Sequence, residues 1–182
     1  RTLRVPEQHR HLVHYDKPFA GLWTAIFDAY SRRIFRARLR LTGEPAPMGT
    51  ESRIVMTDRG RCARVGKGLV KKLGRRARKM GLHVWLSEQP GSDELIFRFL
   101  RKIFDSPGRM PINFADPDTL EIEKLACKVG RDGEHVRQFV RWQNGADGTL
   151  FGATAPTYNA PPTAINYFRA RFPDQERPAY DT

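Results

Sequence analysis

Apolar residues recur every three or four positions in several segments of the chain, which is the period of an α-helix with one buried stripe. The clearest case is residues 92–105, whose apolar stripe consists of Leu95, Ile96, Phe99, Leu100 and Ile103. Residues 116–129 are also predicted to form a helix, because an aspartate at the capping position is followed by proline at the first helical position. Further helices are predicted over residues 19–30, 59–79 and 161–171, with Gly74 expected to interrupt the second of these.

Short β-branched or apolar runs between these segments predict strands. They cover residues 11–15, 53–57, 139–143 and 149–155, while residues 82–86 fit either a strand or a helix end. A glycine-rich link joins the last two strands and is typical of a β-hairpin. Because most strands are expected to pair antiparallel, we predict an α+β fold with several helices packed on a small, mostly antiparallel sheet. The length of 182 residues suits a single domain over residues 11–182, preceded by a flexible basic arm over residues 1–10.

The charge balance points to an anionic partner. The chain carries 32 Lys+Arg against 20 Asp+Glu, a formal net charge of +12, which favours DNA, RNA or an anionic membrane surface. A membrane span is not expected, since no apolar run approaches the roughly 20 residues that one needs. Cys62 and Cys127 belong to no ligand cluster, so we expect free thiols in a reducing, cytoplasmic compartment. No metal site and no cofactor are expected.

The basic residues are concentrated in residues 59–79, which contain no acidic residue. On the helix expected there, cations at helical spacing would form a row that repels itself unless a polyanion lies along it. Nucleic-acid phosphate is the commonest such polyanion, although an ordinary solvated basic face has the same composition. The expected phosphate contacts are Arg61, Arg64, Lys67, Lys71, Lys72, Arg75, Arg76 and Arg78.

Two other cationic groups could extend this surface. Arg33, Arg36 and Arg40 stand at helical spacing and are expected to form a second row. Arg141 precedes Trp142 in the predicted hairpin, and such a pair can hold a phosphate beside a stacked base. Successive side chains of a strand point to opposite faces, so Trp142 is as consistent with a place in the core as with a stacking platform for a base.

Asp132, Glu134 and His135 are the best candidates for acid–base chemistry. A carboxylate near a histidine can orient it as a general base. A solvent-exposed helix end has the same composition, so a purely structural role is the alternative to catalysis.

Five stretches resemble, in order and spacing, a family of bacterial proteins described as DNA-metabolism or DNA-repair proteins. They are YDKPFAGLWTAIFDAY (15–30), TDRGRCARVGKGL (57–69), SEQPGSDELIFRFLRKIF (87–104), FVRWQ (139–143) and DGTLFGATAPTYNAPPTAINYFRARFPDQ (147–175). Family members stand alone, usually beside a radical-SAM partner, or are fused to a uracil-DNA-glycosylase-like domain. The resemblance implies a link to DNA repair and such a protein partner, but no defined reaction. The family's Glu-x-His-Arg-Met pattern is replaced here by Asp132-Gly133-Glu134-His135-Val136, which displaces the His-Arg pair.

We therefore expect a DNA-binding protein associated with DNA repair or metabolism, which contacts the phosphate backbone through a basic helix. One alternative is a nucleic-acid-processing enzyme, a nuclease or a base-modifying hydrolase, with its site around residues 132–135. A second is an RNA-bound structural or ribosome-associated protein. A third is an adaptor whose basic face docks an acidic partner protein, such as a radical-SAM companion.

Overall fold

A computed structural model describes residues 11–35, 37–46, 48–108, 113–146 and 148–173. The expected basic arm, residues 1–10, lies outside them. Five strands run along the described chain: β1 (His11–Tyr15), β2 (Ala37–Leu41), β3 (Glu51–Val55), β4 (Arg141–Asn144) and β5 (Leu150–Ala153). The helices are α1 (Phe19–Ser31), α2 (Arg59–Leu73), α3 (Arg75–Leu86), α4 (Ser92–Asp105), α5 (Pro117–Phe139) and α6 (Ile165–Arg171), with a 3₁₀ turn at Pro161–Thr163 before the last.

The α+β fold has two separate sheets, so the prediction of one small, mostly antiparallel sheet is wrong. The larger sheet has the order β2-β1-β3, and both of its pairings are parallel. Tyr15 at the end of the central strand lies opposite Leu41 on one side and Val55 on the other. Helix α1 returns the chain to the start of the sheet between β1 and β2, so the two strands run in the same direction. The predicted hairpin is confirmed as a second, antiparallel sheet of β4 and β5.

Strand β2 was missed because its polar positions are arginines. Ala37 and Leu39 are buried, whereas Arg38 between them is exposed, which is the two-residue period of a strand with one buried face. The expected second cationic row is therefore wrong. Arg33 lies after α1 with a left-handed φ of 59°, and Arg40 belongs to the strand. Arg36 lies outside the described residues.

The main core lies between the parallel sheet and helices α1 to α5. The stripe predicted for α4 is fully buried and joins Tyr15, Trp23, Leu39 and Leu69 in one cluster. Burying each large aliphatic or aromatic side chain contributes roughly 1.5–3 kcal/mol, so α4 is a principal source of stability. A smaller cluster of Val136, Ala164 and Phe168 joins α5 to α6, with Trp142 packed against it.

Helix α5 begins as predicted and ends later than predicted. The Asp116 side chain accepts a hydrogen bond from the Thr119 amide at 2.9 Å, and Pro117 is the first helical residue. The helix was expected to end near Val129, but it continues to Phe139. The three candidate acid–base residues therefore lie within a helix and not beyond its end.

Candidate nucleic-acid interface

Helices α2 and α3 carry the basic segment, and the chain bends sharply between them. The predicted interruption at Gly74 is confirmed, since this residue has φ 85° and ψ 179°. A Cβ placed on Gly66 of α2 would lie 3.0 Å from the Trp23 ring, and one on Gly81 of α3 would lie 3.8 Å from it. The two helices thus fold back around one buried indole. The basic segment forms two short cationic helices in place of a single continuous row.

One group of cations is exposed and has no acidic partner. Arg64, Lys67 and Lys71 follow helical spacing along the outer side of α2, opposite the buried Val65 and Leu69. None of these three cations forms an ion pair with any residue that the structure describes. We call them the α2 row. The same holds, within the described chain, for three exposed cations of α3, namely Arg75, Arg78 and Lys79.

Two other cations of the segment are engaged by groups of the protein itself. The Lys72 ammonium donates to the carbonyl oxygens of Ile103 and Phe104, both at 2.9 Å, and to that of Ser106. These carbonyls lie at the end of α4, where helical carbonyl groups lack partners of their own. Arg76 forms an ion pair with Glu123 of α5. Lys72 and Arg76 therefore join helices together, and their charges are less available to a ligand than those of the α2 row.

Arg61 belongs to a cluster of three arginines around one buried carboxylate. The Asp28 side chain is only 4% exposed, and it contacts Arg61 at 3.4 Å, Arg53 at 2.9 Å and Arg32 at 3.1 Å. The arginines come from three elements: the end of α1, strand β3 and the first turn of α2. We call Arg32, Arg53 and Arg61, with Asp28, the arginine cluster.

Phe27 connects this cluster to the α2 row. The guanidinium carbon of Arg61 lies 6.0 Å from the centre of the Phe27 ring, and that of Arg64 lies 5.7 Å from it. Both distances are typical of cation–π contacts. The first turns of α2 thus place the cluster and the row side by side.

The hairpin contributes Arg141, but its tryptophan is not a stacking platform. Arg141 is exposed at the start of β4. The Trp142 ring packs edge-on against Phe168, with a centroid distance of 4.9 Å, and against Phe172 at 5.4 Å. Trp142 therefore belongs to the packing between the hairpin and α6, and its ring is not displayed for a base.

Asp132, Glu134 and His135 line one shallow depression of about 520 Å³ beside Tyr158. The Asp132 carboxylate accepts the Tyr158 amide at 2.9 Å. Glu134 pairs with Arg137 at 3.0 Å, and the His135 ring meets Phe139 edge-on at 5.6 Å. Each side chain has a structural neighbour, and His135 is not hydrogen-bonded to either carboxylate. The arrangement does not form an acid–base pair.

The structure reveals a cleft that the sequence did not indicate. It measures about 440 Å³ and lies at the carboxyl ends of β1 and β2, where parallel sheets commonly bind ligands. The Tyr15 hydroxyl donates to the Asp93 carboxylate at 2.5 Å. Burial raises the pKa of Asp93 and also that of Tyr15, whose hydroxyl donates to this carboxylate. The β1-α1-β2 crossover would have predicted a ligand site at this edge of the sheet. It was not recognised, because the arginine-rich β2 was not predicted to be a strand.

Within the described ranges, no three side chains among His, Cys, Asp and Glu come together in a way that could hold a metal ion. None of the helices in these ranges is sufficiently long and apolar to span a membrane.

The fold and surface define an α+β protein with a parallel three-stranded sheet and a bent, cation-rich helix pair. Residues 90–181 match the model of a domain of unknown function, DUF4130, and the chain belongs to this uncharacterised family. The match begins just before α4 and includes α5, the hairpin and α6. No curated protein and no solved structure matches the chain.

Proposed function

We propose that this protein binds nucleic acid, with DNA as its ligand, through phosphate contacts along the α2 row and the exposed cations of α3. The observation that carries the proposal is the absence of acidic partners for Arg64, Lys67 and Lys71 within the described chain. Three neighbouring cations on one helix face repel one another, and a bound polyanion relieves that repulsion. Phosphate contacts of this kind position a protein on nucleic acid without reading its sequence.

A role in DNA repair belongs to the same proposal and rests on the resemblance of the five sequence stretches. The proposed cytoplasmic location rests on the free thiols of Cys62 and Cys127. The partner implied by that resemblance is a radical-SAM or glycosylase-like protein. Such a partner would supply the chemistry, because the depression near His135 does not form an acid–base pair. The role of this chain would then be to hold the DNA.

The proposal predicts a salt dependence that can be worked out from the α2 row. Each neutralised phosphate contributes roughly −0.9 to the slope of log K against log salt on duplex DNA. Replacing Arg64, Lys67 and Lys71 with Gln should therefore flatten the slope by about 2.7 on a duplex. Fluorescence anisotropy with labelled single-stranded DNA, duplex DNA and RNA over a salt series measures this slope.

A second triple variant provides a matched control. Lys124, Lys128 and Arg131 are also exposed at helical spacing on α5, and their change to Gln removes the same charge. The α5 variant should keep most of the slope. Equal flattening in both variants would mean that net charge, and not the α2 row, drives binding. Absence of binding to all three nucleic acids near physiological salt would refute the proposal, and a preference for RNA would favour the RNA-bound alternative.

A further inference from the structure

The two faces of the β4–β5 hairpin differ in what covers them. Trp142 and Gly152 lie opposite each other on the inner face. A Cβ on Gly152 would lie 3.1 Å from the Trp142 ring, so glycine leaves the room that the indole occupies. Phe168 and Phe172 complete the packing around this ring. The inner face therefore belongs to the packing beside α6.

The outer face of the hairpin is exposed. It consists of the side chains that alternate with those of the inner face, and we call it the hairpin face: Arg141, Gln143, Phe151 and Ala153. Phe151 is 48% exposed, and its ring meets no other aromatic ring and no cation among the described residues. Neither Arg141 nor Gln143 forms a side-chain hydrogen bond or ion pair within the part of the chain that the structure describes. All three side chains are thus available to a ligand.

The surroundings of the hairpin face carry little negative charge. Residues 135–173 contain four arginines and, apart from Asp147, no acidic residue. Two of these arginines, Arg169 and Arg171, are exposed on α6. A further aromatic ring precedes the hairpin by two positions, since Phe139 at the end of α5 is 69% exposed. An anionic ligand with flat apolar groups would complement this surface in both charge and shape.

Single-stranded nucleic acid combines these two properties. Its unpaired bases stack on exposed aromatic side chains, while its phosphates pair with the cations beside them. In a duplex the bases stack on each other, and a protein group reaches the face of a base only after the base leaves the stack. Arg141 and Phe151 are diagonal neighbours on the hairpin face, at a spacing of roughly 7–8 Å. A base on the ring would therefore bring its phosphate within reach of the guanidinium group.

We propose that the hairpin face binds an unpaired base of single-stranded DNA, which stacks on Phe151 while Arg141 binds the adjoining phosphate. The sequence pattern gave the stacking role to Trp142, the neighbour of Arg141 along the chain. The register gives it to the cross-strand Phe151 instead, because Trp142 points to the inner face. This inference rests on the proposed function and adds to it a site for unpaired bases.

An abasic strand separates base contacts from phosphate contacts. A single strand of thymidines and an abasic strand with the same number of phosphates carry equal charge, so their difference in affinity measures contact with the bases. Anisotropy competition at fixed salt should show that the wild type binds the thymidine strand about tenfold more tightly, which one stacked base accounts for. Phe151→Ala should abolish this preference and leave the affinity for the abasic strand unchanged.

Phe114→Ala is the matched control for this substitution. Phe114 is also 48% exposed, but it precedes α5, at the opposite end of a helix roughly 35 Å long from the hairpin. This variant should keep the full preference. Phe151→Leu should lose it, because leucine is apolar but has no π face, whereas Phe151→Tyr should retain it. Arg141→Gln should weaken the binding of both strands to the same extent, since it removes a phosphate contact.

The outcomes separate this inference from the proposed function. Equal affinity of the wild type for the thymidine and abasic strands would overturn the inference and leave the proposed function standing, because the α2 row contacts phosphates alone. A preference that survives in Phe151→Ala, or that Phe114→Ala loses to the same extent, would also overturn it. Unchanged affinity in Arg141→Gln would overturn the role of Arg141. Failure of the wild type to bind single-stranded DNA, duplex DNA and the abasic strand would overturn both.

Discussion

Two adjacent lysines, Lys71 and Lys72, allow the binding and structural roles of the basic segment to be separated. Lys71 belongs to the exposed α2 row, whereas the Lys72 ammonium donates to three carbonyl oxygens at the end of α4. We predict that Lys72→Met destabilises the protein and leaves nucleic-acid binding intact. Lys71→Met should do the reverse. Methionine retains much of the aliphatic stem in both variants and removes the charge.

The expected magnitude follows from the contacts of Lys72. Hydrogen bonds that involve a charged group are worth roughly 1.5–3 kcal/mol, and a cation near a helix C-terminus adds up to about 1 kcal/mol. Because the ammonium keeps some exposure and these two effects overlap, we expect a loss of about 2 kcal/mol in the free energy of unfolding. For a chain of this length that lowers Tm by about 4–8 °C. Lys71→Met should change the stability by less than about 0.5 kcal/mol.

Urea unfolding followed by tryptophan fluorescence measures the stability of both variants, and anisotropy over a salt series measures their binding to duplex DNA. Lys71→Met should flatten the salt slope by about 0.9, and Lys72→Met should not change it. The reasoning is refuted if the two variants unfold at the same urea concentration. It is also refuted if Lys72→Met flattens the salt slope as much as Lys71→Met does.

Two further substitutions test the packing and the cleft. Gly21→Ala should lower the free energy of unfolding by more than about 2 kcal/mol, although alanine has the better helix propensity. The added Cβ would overlap the Asp16 carbonyl oxygen and lie 2.6 Å from Asp16 Oδ1. Thermal unfolding at the wild-type temperature would contradict this prediction. Asp93→Asn should stabilise the protein at pH 7 by on the order of 1 kcal/mol. Burial raises the pKa of Asp93 above its ordinary 3.8, so the carboxyl group binds its proton more tightly in the folded wild type than in the unfolded chain. The wild type therefore loses stability as the pH rises through the range between the unfolded and folded pKa values. Urea unfolding from pH 7 down to pH 4 should show the advantage of the variant shrinking, and an advantage that is constant with pH would count against the explanation.

Hydrophobic periodicity predicted the helices that cover the core and failed to predict the direction of the strands. The predicted bounds of α4 agree with the structure, and those of α1 differ by one residue at its end, because in both helices a single buried stripe determines the pattern. Strand β2 places arginines at its polar positions, and one of them, Arg40, also fits a helical spacing with Arg33 and Arg36, so the strand-helix-strand crossover was not recognised. Without the crossover, nothing in the local sequence distinguishes parallel from antiparallel pairing.

Helix α5 continues through Gly130 and Gly133 to Phe139, beyond the predicted end near Val129. A Cβ on Gly130 would lie 3.4 Å from the His83 ring, and one on Gly133 would lie against the Thr163 side chain. These glycines allow α3 and the 3₁₀ turn to approach the helix closely. Their role depends on tertiary contacts between residues that are distant in sequence, which a single sequence does not display.

The sequence located the cations of the candidate interface but not their partners. Lys72 and Arg76 are engaged by residues more than 30 positions away, and Arg61 is engaged by Asp28 from another helix. The sequence composition does not distinguish these cations from those of the α2 row. Only the fold separates the charges that join helices from those that stay available to a ligand.

The boundary of the family match has a practical consequence for protein production. The match begins at residue 90, yet the apolar side of α4 packs into the same cluster as Tyr15, Trp23 and Leu69, which all precede it. A truncated fragment starting at the family boundary would leave that side of α4 facing water. We therefore expect that the matched segment does not fold by itself, and an expression fragment should retain β1 to α3 together with the family region.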